Sequence, residues 1–122
     1  MLIELKKIDP VAEDTRGNAY AFPIKNRDHI TVINRKAGTT SGNHYHPGTT
    51  QSKSPESFYL AKGRLQLLVK DVSTQQEETY LIEENTWFAI PANIYHVVTA
   101  VTDIVLLEFN LVSEDFKVDV VR

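Results

Sequence analysis

Apolar and polar residues alternate in short runs along most of this chain. Val, Ile, Tyr, Phe and Thr fill the runs, and Gly, Pro, Asn and Asp punctuate them, which is the pattern of β-strands joined by turns. The runs predict strands over residues 2–8, 30–36, 56–61, 64–70, 78–82, 86–90, 94–99 and 104–110, and a last one over 116–121. Breaks fall at Arg16-Gly17-Asn18, Ala37-Gly38, Pro47-Gly48, Lys62-Gly63 and Pro91-Ala92-Asn93. Apolar residues do not recur at i, i+3, i+4 and i+7 over any long stretch, so no long helix is expected. Eight or nine short strands within 122 residues predict one all-β domain over 1–122, built as a sandwich, a barrel or a jelly roll.

One segment breaks the rhythm. Residues 47–55 (PGTTQSKSP) are polar and hold two prolines. They read as a loop longer than the usual hairpin connection, either a lid over a binding site or a tolerated surface insertion.

Composition narrows the function classes. Apolar residues make up 42% of the chain, enough to fill a core, so disorder is not expected. Thirteen Lys and Arg stand against sixteen Asp and Glu, a net charge of −3. That argues against a nucleic-acid binder that works by neutralising phosphates, while leaving room for a small anion in a local pocket. The chain has no cysteine, so disulfides, iron–sulfur clusters, thiolate zinc sites and a cysteine nucleophile are excluded. Any metal must be held by nitrogen and oxygen. The longest apolar runs, such as 104–107, are four residues, too short for a membrane span or signal-peptide core. The simplest expected location is the cytoplasm.

Four residues suggest a metal. His44 and His46 are two apart, so in an extended chain both imidazoles point to one side and Tyr45 to the other. Solvent-facing histidines beside a turn are the plainer alternative. Glu56 opens an apolar strand and shares parity with Phe58 and Leu60. An inward carboxylate there needs a partner or a cation, unless Glu56 lies on the loop in water. His96 shares parity with Ile94 and Val98, where a satisfied core histidine is the alternative. Three imidazoles and one carboxylate suit Mn, Fe, Ni, Zn or Co.

The spacing of these residues resembles the two motifs of the cupin superfamily. Gly38, five residues, His44-Tyr45-His46, then Glu56, six residues and Gly63 are similar to the first motif. Asn85, Pro91, Asn93 and His96 fall at the spacings of the second, with Ala100 in place of its final asparagine. The gap from His46 to Glu56 is longer than usual, and asparagines replace two motif glycines, a residue type that also tolerates left-handed backbone. The resemblance spans residues 38–100. It implies a double-stranded β-helix, the jelly-roll cupin barrel, with His44, His46, Glu56 and His96 around one divalent transition metal. It also implies a homodimer, for which Leu2, Ile3 and Leu5 would be exposed for strand addition.

A fainter resemblance is carried by Asp14-Thr15-Arg16-Gly17 together with residues 41–46 (SGNHYH). It is to the deoxysugar epimerases and ketoisomerases among cupins of nucleotide-sugar and surface-polysaccharide pathways. It implies that Arg16 faces a substrate phosphate; a surface turn shaped by Asp14 and Gly17 is the alternative. Many of those enzymes work without a metal and lack the ligand set that this chain retains.

Other residues are assigned from pattern. Tyr45, Tyr59 and Tyr95 oppose the ligand face and read as packing or interface residues, and Trp87 and Phe88 read as core. Phe58, Leu60, Leu65 and Leu67 are expected to wall the pocket. Lys53 is a substrate contact or a solvated lysine, Glu108 is expected on an edge strand, and His29 has no nameable partner. The expected ligand is a small oxygen-rich molecule, a sugar derivative or organic acid. An enzyme would isomerise, epimerise or oxygenate it, as a dioxygenase does, with Glu56 as base if the metal holds without it. A binding module would hold it without turnover, and a purely structural barrel would bind nothing.

Overall fold

The computed structural model describes residues 1–122, apart from the side chain of Phe116. Its strands are β1 (Glu4–Lys7), β2 (Ala12–Asp14), β3 (Gly17–Ala19), β4 (His29–Arg35), β5 (Thr40–His44), β6 (Glu56–Lys62), β7 (Leu65–Asp71), β8 (Glu77–Ile82), β9 (Thr86–Ile90), β10 (Ile94–Ala100) and β11 (Ile104–Asn110). One sheet has the order β1-β9-β6-β11-β4 and faces a second with the order β5-β10-β7-β8. Their pairings are antiparallel. Strands β2 and β3 form a separate exposed hairpin.

The core lies between the two sheets. Leu60, Leu65, Leu67, Val69, Ile82 and Phe88 are fully buried there, drawn in by the favourable removal of apolar surface from water. A second cluster covers the outer face of the five-stranded sheet, where Ile8, Tyr59 and Phe109 pack with Tyr20, Phe22 and Trp87. Phe22 stacks on Tyr59 with centroids 4.3 Å apart. Strand β6 is therefore apolar on both faces, which explains its nearly continuous run.

The pattern found the long strands and missed elements that lack strand-forming residues. Strand β5 (TSGNH) has little intrinsic β tendency and is made by pairing with β10, Thr99 opposite Thr40 and His96 opposite His44. Residues 116–121 are not a strand: Phe116–Val118 form a short 3-10 turn, and Val121 then bridges to Tyr45. At the N-terminus Ile3 is buried, and Leu2 and Leu5 pack against the core. Their side chains are not exposed, because they turn onto the core, while β1 stays the outer strand of its sheet with β9 on one side. Glu108 is not on an edge either, since β11 lies between β6 and β4.

Backbone demands explain several motif positions. Asn85 and Asn93, which replace motif glycines, both have φ of 64°, the left-handed region open to asparagine. Gly42 has φ of 93°, and a Cβ there would sit 2.8 Å from the His96 carbonyl oxygen. A glycine thus lets β5 approach β10 where two of the histidines meet.

Candidate functional site

The seam between β4 and β5, the outer strands of the two sheets, opens on a cavity of about 80 Å³. His44 enters from β5, Glu56 from β6, His96 from β10, and Glu108 from β11, with Arg35 of β4 at the same cavity. His46 follows β5 and points the same way as His44, as alternation demands. Ring centroids are 4.7 Å apart for His44 and His46, 4.8 Å for His44 and His96, and 5.5 Å for His46 and His96. One nitrogen from each ring lies within 4.8 Å of those of the other two. Glu56 joins them, Oε2 being 3.3 Å from His46 Nε2 and Oε1 3.3 Å from His96 Nε2. It is 3% exposed, which rules out the loop-in-water alternative.

Hydrogen bonds behind the rings set their tautomers. His46 Nδ1–H donates to the Asp119 carbonyl, and His96 Nδ1–H donates to the Ile94 carbonyl at 3.1 Å. Both Nε2 lone pairs are thereby turned toward the centre, the arrangement that backs metal-ligating histidines. His44 Nδ1, His46 Nε2 and Glu56 Oε1 are buried without a hydrogen-bond partner. Such orphaned acceptors are costly unless something satisfies them. The donor set fits a divalent transition ion with bonds of about 2.0–2.2 Å.

Lys53 is the unexpected member. It sits in the short 3-10 turn Gln51–Lys53 of the long loop and is 3% exposed, not solvated. Its Nζ donates to Glu56 Oε2 at 2.8 Å and lies 3.4 Å from Glu108 Oε2. The loop is fastened from behind. Asp119 accepts from Gly48 N, Thr50 N and Thr50 Oγ1. Glu114 accepts from Gln51 N, Ser52 N and Ser52 Oγ. Arg27 donates to the Gln51 and Pro55 carbonyls. Residues 47–55 thus form a tied plug that drives one lysine inward.

The charges respond to this crowding. Burial, reinforced by His96 and His46, lowers the His44 pKa to about 4. Burial also works against charging His46, but the Glu56 carboxylate 3.3 Å away outweighs it and raises that pKa. Burial lowers the pKa of His96 against the pull of Glu56. Burial works against ionising Glu56, yet His46, His96 and Lys53 together hold its carboxyl well below the usual range. Burial and then the Glu56 charge push Glu108 up, so two neighbouring carboxyls are driven apart in acidity.

Of the expected pocket residues, Phe58 lines the cavity. Leu60, Leu65 and Leu67 are fully buried in the core and do not wall it, because their inward parity carries them to the packed end of the barrel. Arg16 lies in the turn of the exposed β2–β3 hairpin and is not among the residues that line the cavity. There it pairs with Asp14 at 2.7 Å, the turn-shaping alternative. Glu108, Arg35 and Asp119 were missed. Parity with Ile104 and Leu106 is the signal that could have found Glu108; nothing local marks Asp119.

No protein-family model and no curated protein sequence matches the chain. Solved structures do. A dTDP-4-dehydrorhamnose 3,5-epimerase from Sulfolobus tokodaii is 20% identical, with a TM-score of 0.76 over 98% of this chain and 76% of that one. The sugar 3,4-ketoisomerase QdtA from Thermoanaerobacterium thermosaccharolyticum, in complex with TDP, is 18% identical with a TM-score of 0.77 over 99% of this chain and 88% of that one. The fold is the cupin jelly roll. A mutant of the same ketoisomerase was solved in complex with TDP-4-keto-6-deoxyglucose. A 3,4-ketoisomerase from Helicobacter canadensis shares the cupin jelly roll at 16% identity and a TM-score of 0.77, over 100% of this chain and 91% of that one.

Proposed function

We propose that this chain is an isomerase of a small, oxygen-rich carbonyl compound, a sugar derivative. In this reading one divalent transition metal is held by His44, His46, His96 and Glu56. The observation that carries it is the convergence of three imidazoles beside a buried carboxylate, with acceptors on His44, His46 and Glu56 left unpartnered. The chemistry of the similar structures, epimerases and ketoisomerases of nucleotide-linked sugars, supports the reaction class. When bound, such an ion supplies a Lewis acid that polarises a carbonyl oxygen and acidifies the neighbouring carbon.

The chain's own groups supply the proton handling. Isomerisation removes a proton from the carbon beside the carbonyl and returns one at the same or the next carbon. Glu56 is a poor base, since His46, His96 and Lys53 stabilise its anion. Glu108 is better suited: it faces the cavity, and burial raises its proton affinity, which brings a carboxyl toward the pH at which it both gives and takes a proton. Arg35 at the cavity is placed to orient an anionic or oxygen-rich part of the substrate. Phe58, Ile104 and Leu106 wall the cavity and keep water from the reacting carbon.

Protein purified without added metal should hold about one transition-metal ion per chain, lost in His44→Ala and His96→Ala. Chelator should lower the melting temperature and metal restore it. With TDP-4-keto-6-deoxyglucose in D2O, NMR should show deuterium entering beside the keto group, and Glu108→Gln should abolish this. Binding of keto sugars without exchange would make the protein a sugar-binding module instead. Absence of any stoichiometric metal would remove the centre.

A further inference from the structure

The metal reading leaves Lys53 unexplained. A buried ammonium beside a candidate ligand carboxylate opposes a divalent cation by simple charge repulsion, strongest where water is excluded. We infer that Lys53 is a built-in counter-cation that competes with the metal for Glu56. The inference rests on the metal reading above and concerns how that site is loaded.

Three observations carry it. First, the contact is short and dry: Lys53 Nζ to Glu56 Oε2 is 2.8 Å, between side chains 3% and 4% exposed. Charge-assisted hydrogen bonds of this kind are among the stronger ones in proteins. Second, the lysine is delivered by construction, since Asp119, Glu114 and Arg27 tie down the loop on either side of it. Third, a second acceptor lies within reach, Glu108 Oε2 at 3.4 Å. The ammonium has somewhere to go when Glu56 is given up.

Without metal, Lys53 neutralises Glu56, so the barrel does not hold a naked carboxylate. An arriving ion meets three imidazoles first. Glu56 offers it Oε1, the oxygen that Lys53 does not hold, and gives up its full charge only as Lys53 shifts its hydrogen bond from Oε2 to Glu108. Affinity is thereby set below what the four-residue donor set would reach alone.

Co²⁺ is the probe, because its visible spectrum reports ligand number and its affinity can be read by competition with a chelator. Lys53→Met should bind Co²⁺ roughly 10- to 100-fold more tightly than wild type, the worth of one hydrogen bond to a charged group. The gain should vanish in Lys53→Met/Glu56→Gln, and the wild-type spectrum should change less on Glu56→Gln than the Lys53→Met spectrum does. Lys53→Gln repeats the test if Lys53→Met does not fold. Equal or weaker binding by the folded lysine variants, with Co²⁺ still lost on His44→Ala, overturns the competition and leaves the metal centre standing. A tighter Lys53 variant whose gain survives Glu56→Gln also overturns it, since the lysine then acts only as a diffuse charge. Failure of wild type to bind Co²⁺ removes the centre and this inference together.

Discussion

The two ends of this barrel are built by the same strands under the same alternation, yet they are held in different ways. β6 carries Glu56 at one end and Leu60 toward the other, and β10 carries His96 and Ala100 likewise. All four side chains are buried. At the Leu60 end the neighbours are Leu65, Leu67 and Ile82, and burial alone accounts for the packing. At the Glu56 end each group needs a specific partner. Asp119 turns His46, the Ile94 carbonyl turns His96, and Lys53 balances Glu56. Apolar packing is forgiving in detail, whereas a polar cluster in a dry interior is worth only as much as its least satisfied member.

The sharpest way to separate the ends is to damage each alone. Leu65→Ala should lower unfolding stability in urea by about 2–5 kcal/mol, while folded protein keeps its Co²⁺ affinity. Asp119→Ala, which removes the acceptor of Gly48 N, Thr50 N and Thr50 Oγ1, should cost less, about 1–3 kcal/mol. Unlike Leu65→Ala it should change Co²⁺ affinity, because the Lys53 loop is released. If both variants move affinity equally, the ends are not independent.

Acid gives the smallest and most local test. His44 has its pKa lowered to about 4 in the folded protein, against about 6.5 when unfolded. As pH falls from about 6.5 toward 4, the unfolded chain takes up a proton that folded His44 refuses, so stability declines with acid. His46 has the opposite sign: its raised pKa adds stability at low pH that is lost as pH rises through the folded value. In chelator, His44→Gln should therefore flatten the fall in urea midpoint between pH 7 and pH 4.5. A steeper fall would show that His44 is not held neutral.

The legible parts were those written in parity. Alternation placed His44 with His46, Glu56 with Phe58 and Leu60, and His96 with Ile94 and Val98. Those groupings depend only on a residue's own strand. Lys53 was illegible because its polar, proline-bracketed segment has the composition of a solvated loop. What buries it is Asp119 and Glu114, 60 to 70 residues on in the chain. β5 was missed for the same reason, since its pairing with β10 and not its own residues makes it a strand. Arg16 shows the reverse hazard: its motif looked functional, but the local turn accounts for it, with Asp14 accepting from its backbone and side chain.

Asp119 serves two masters. Its backbone oxygen fixes the ring of His46, and its carboxylate anchors the loop that carries Lys53. The candidate ligand His46 and its proposed competitor Lys53 are consequently both positioned by one buried residue, next to the short bridge that Val121 makes with Tyr45. A protease nick or a bulky affinity tag that pried up this strap would leave the apolar barrel intact. Such a preparation would look well folded by circular dichroism while misreporting the Co²⁺ affinity.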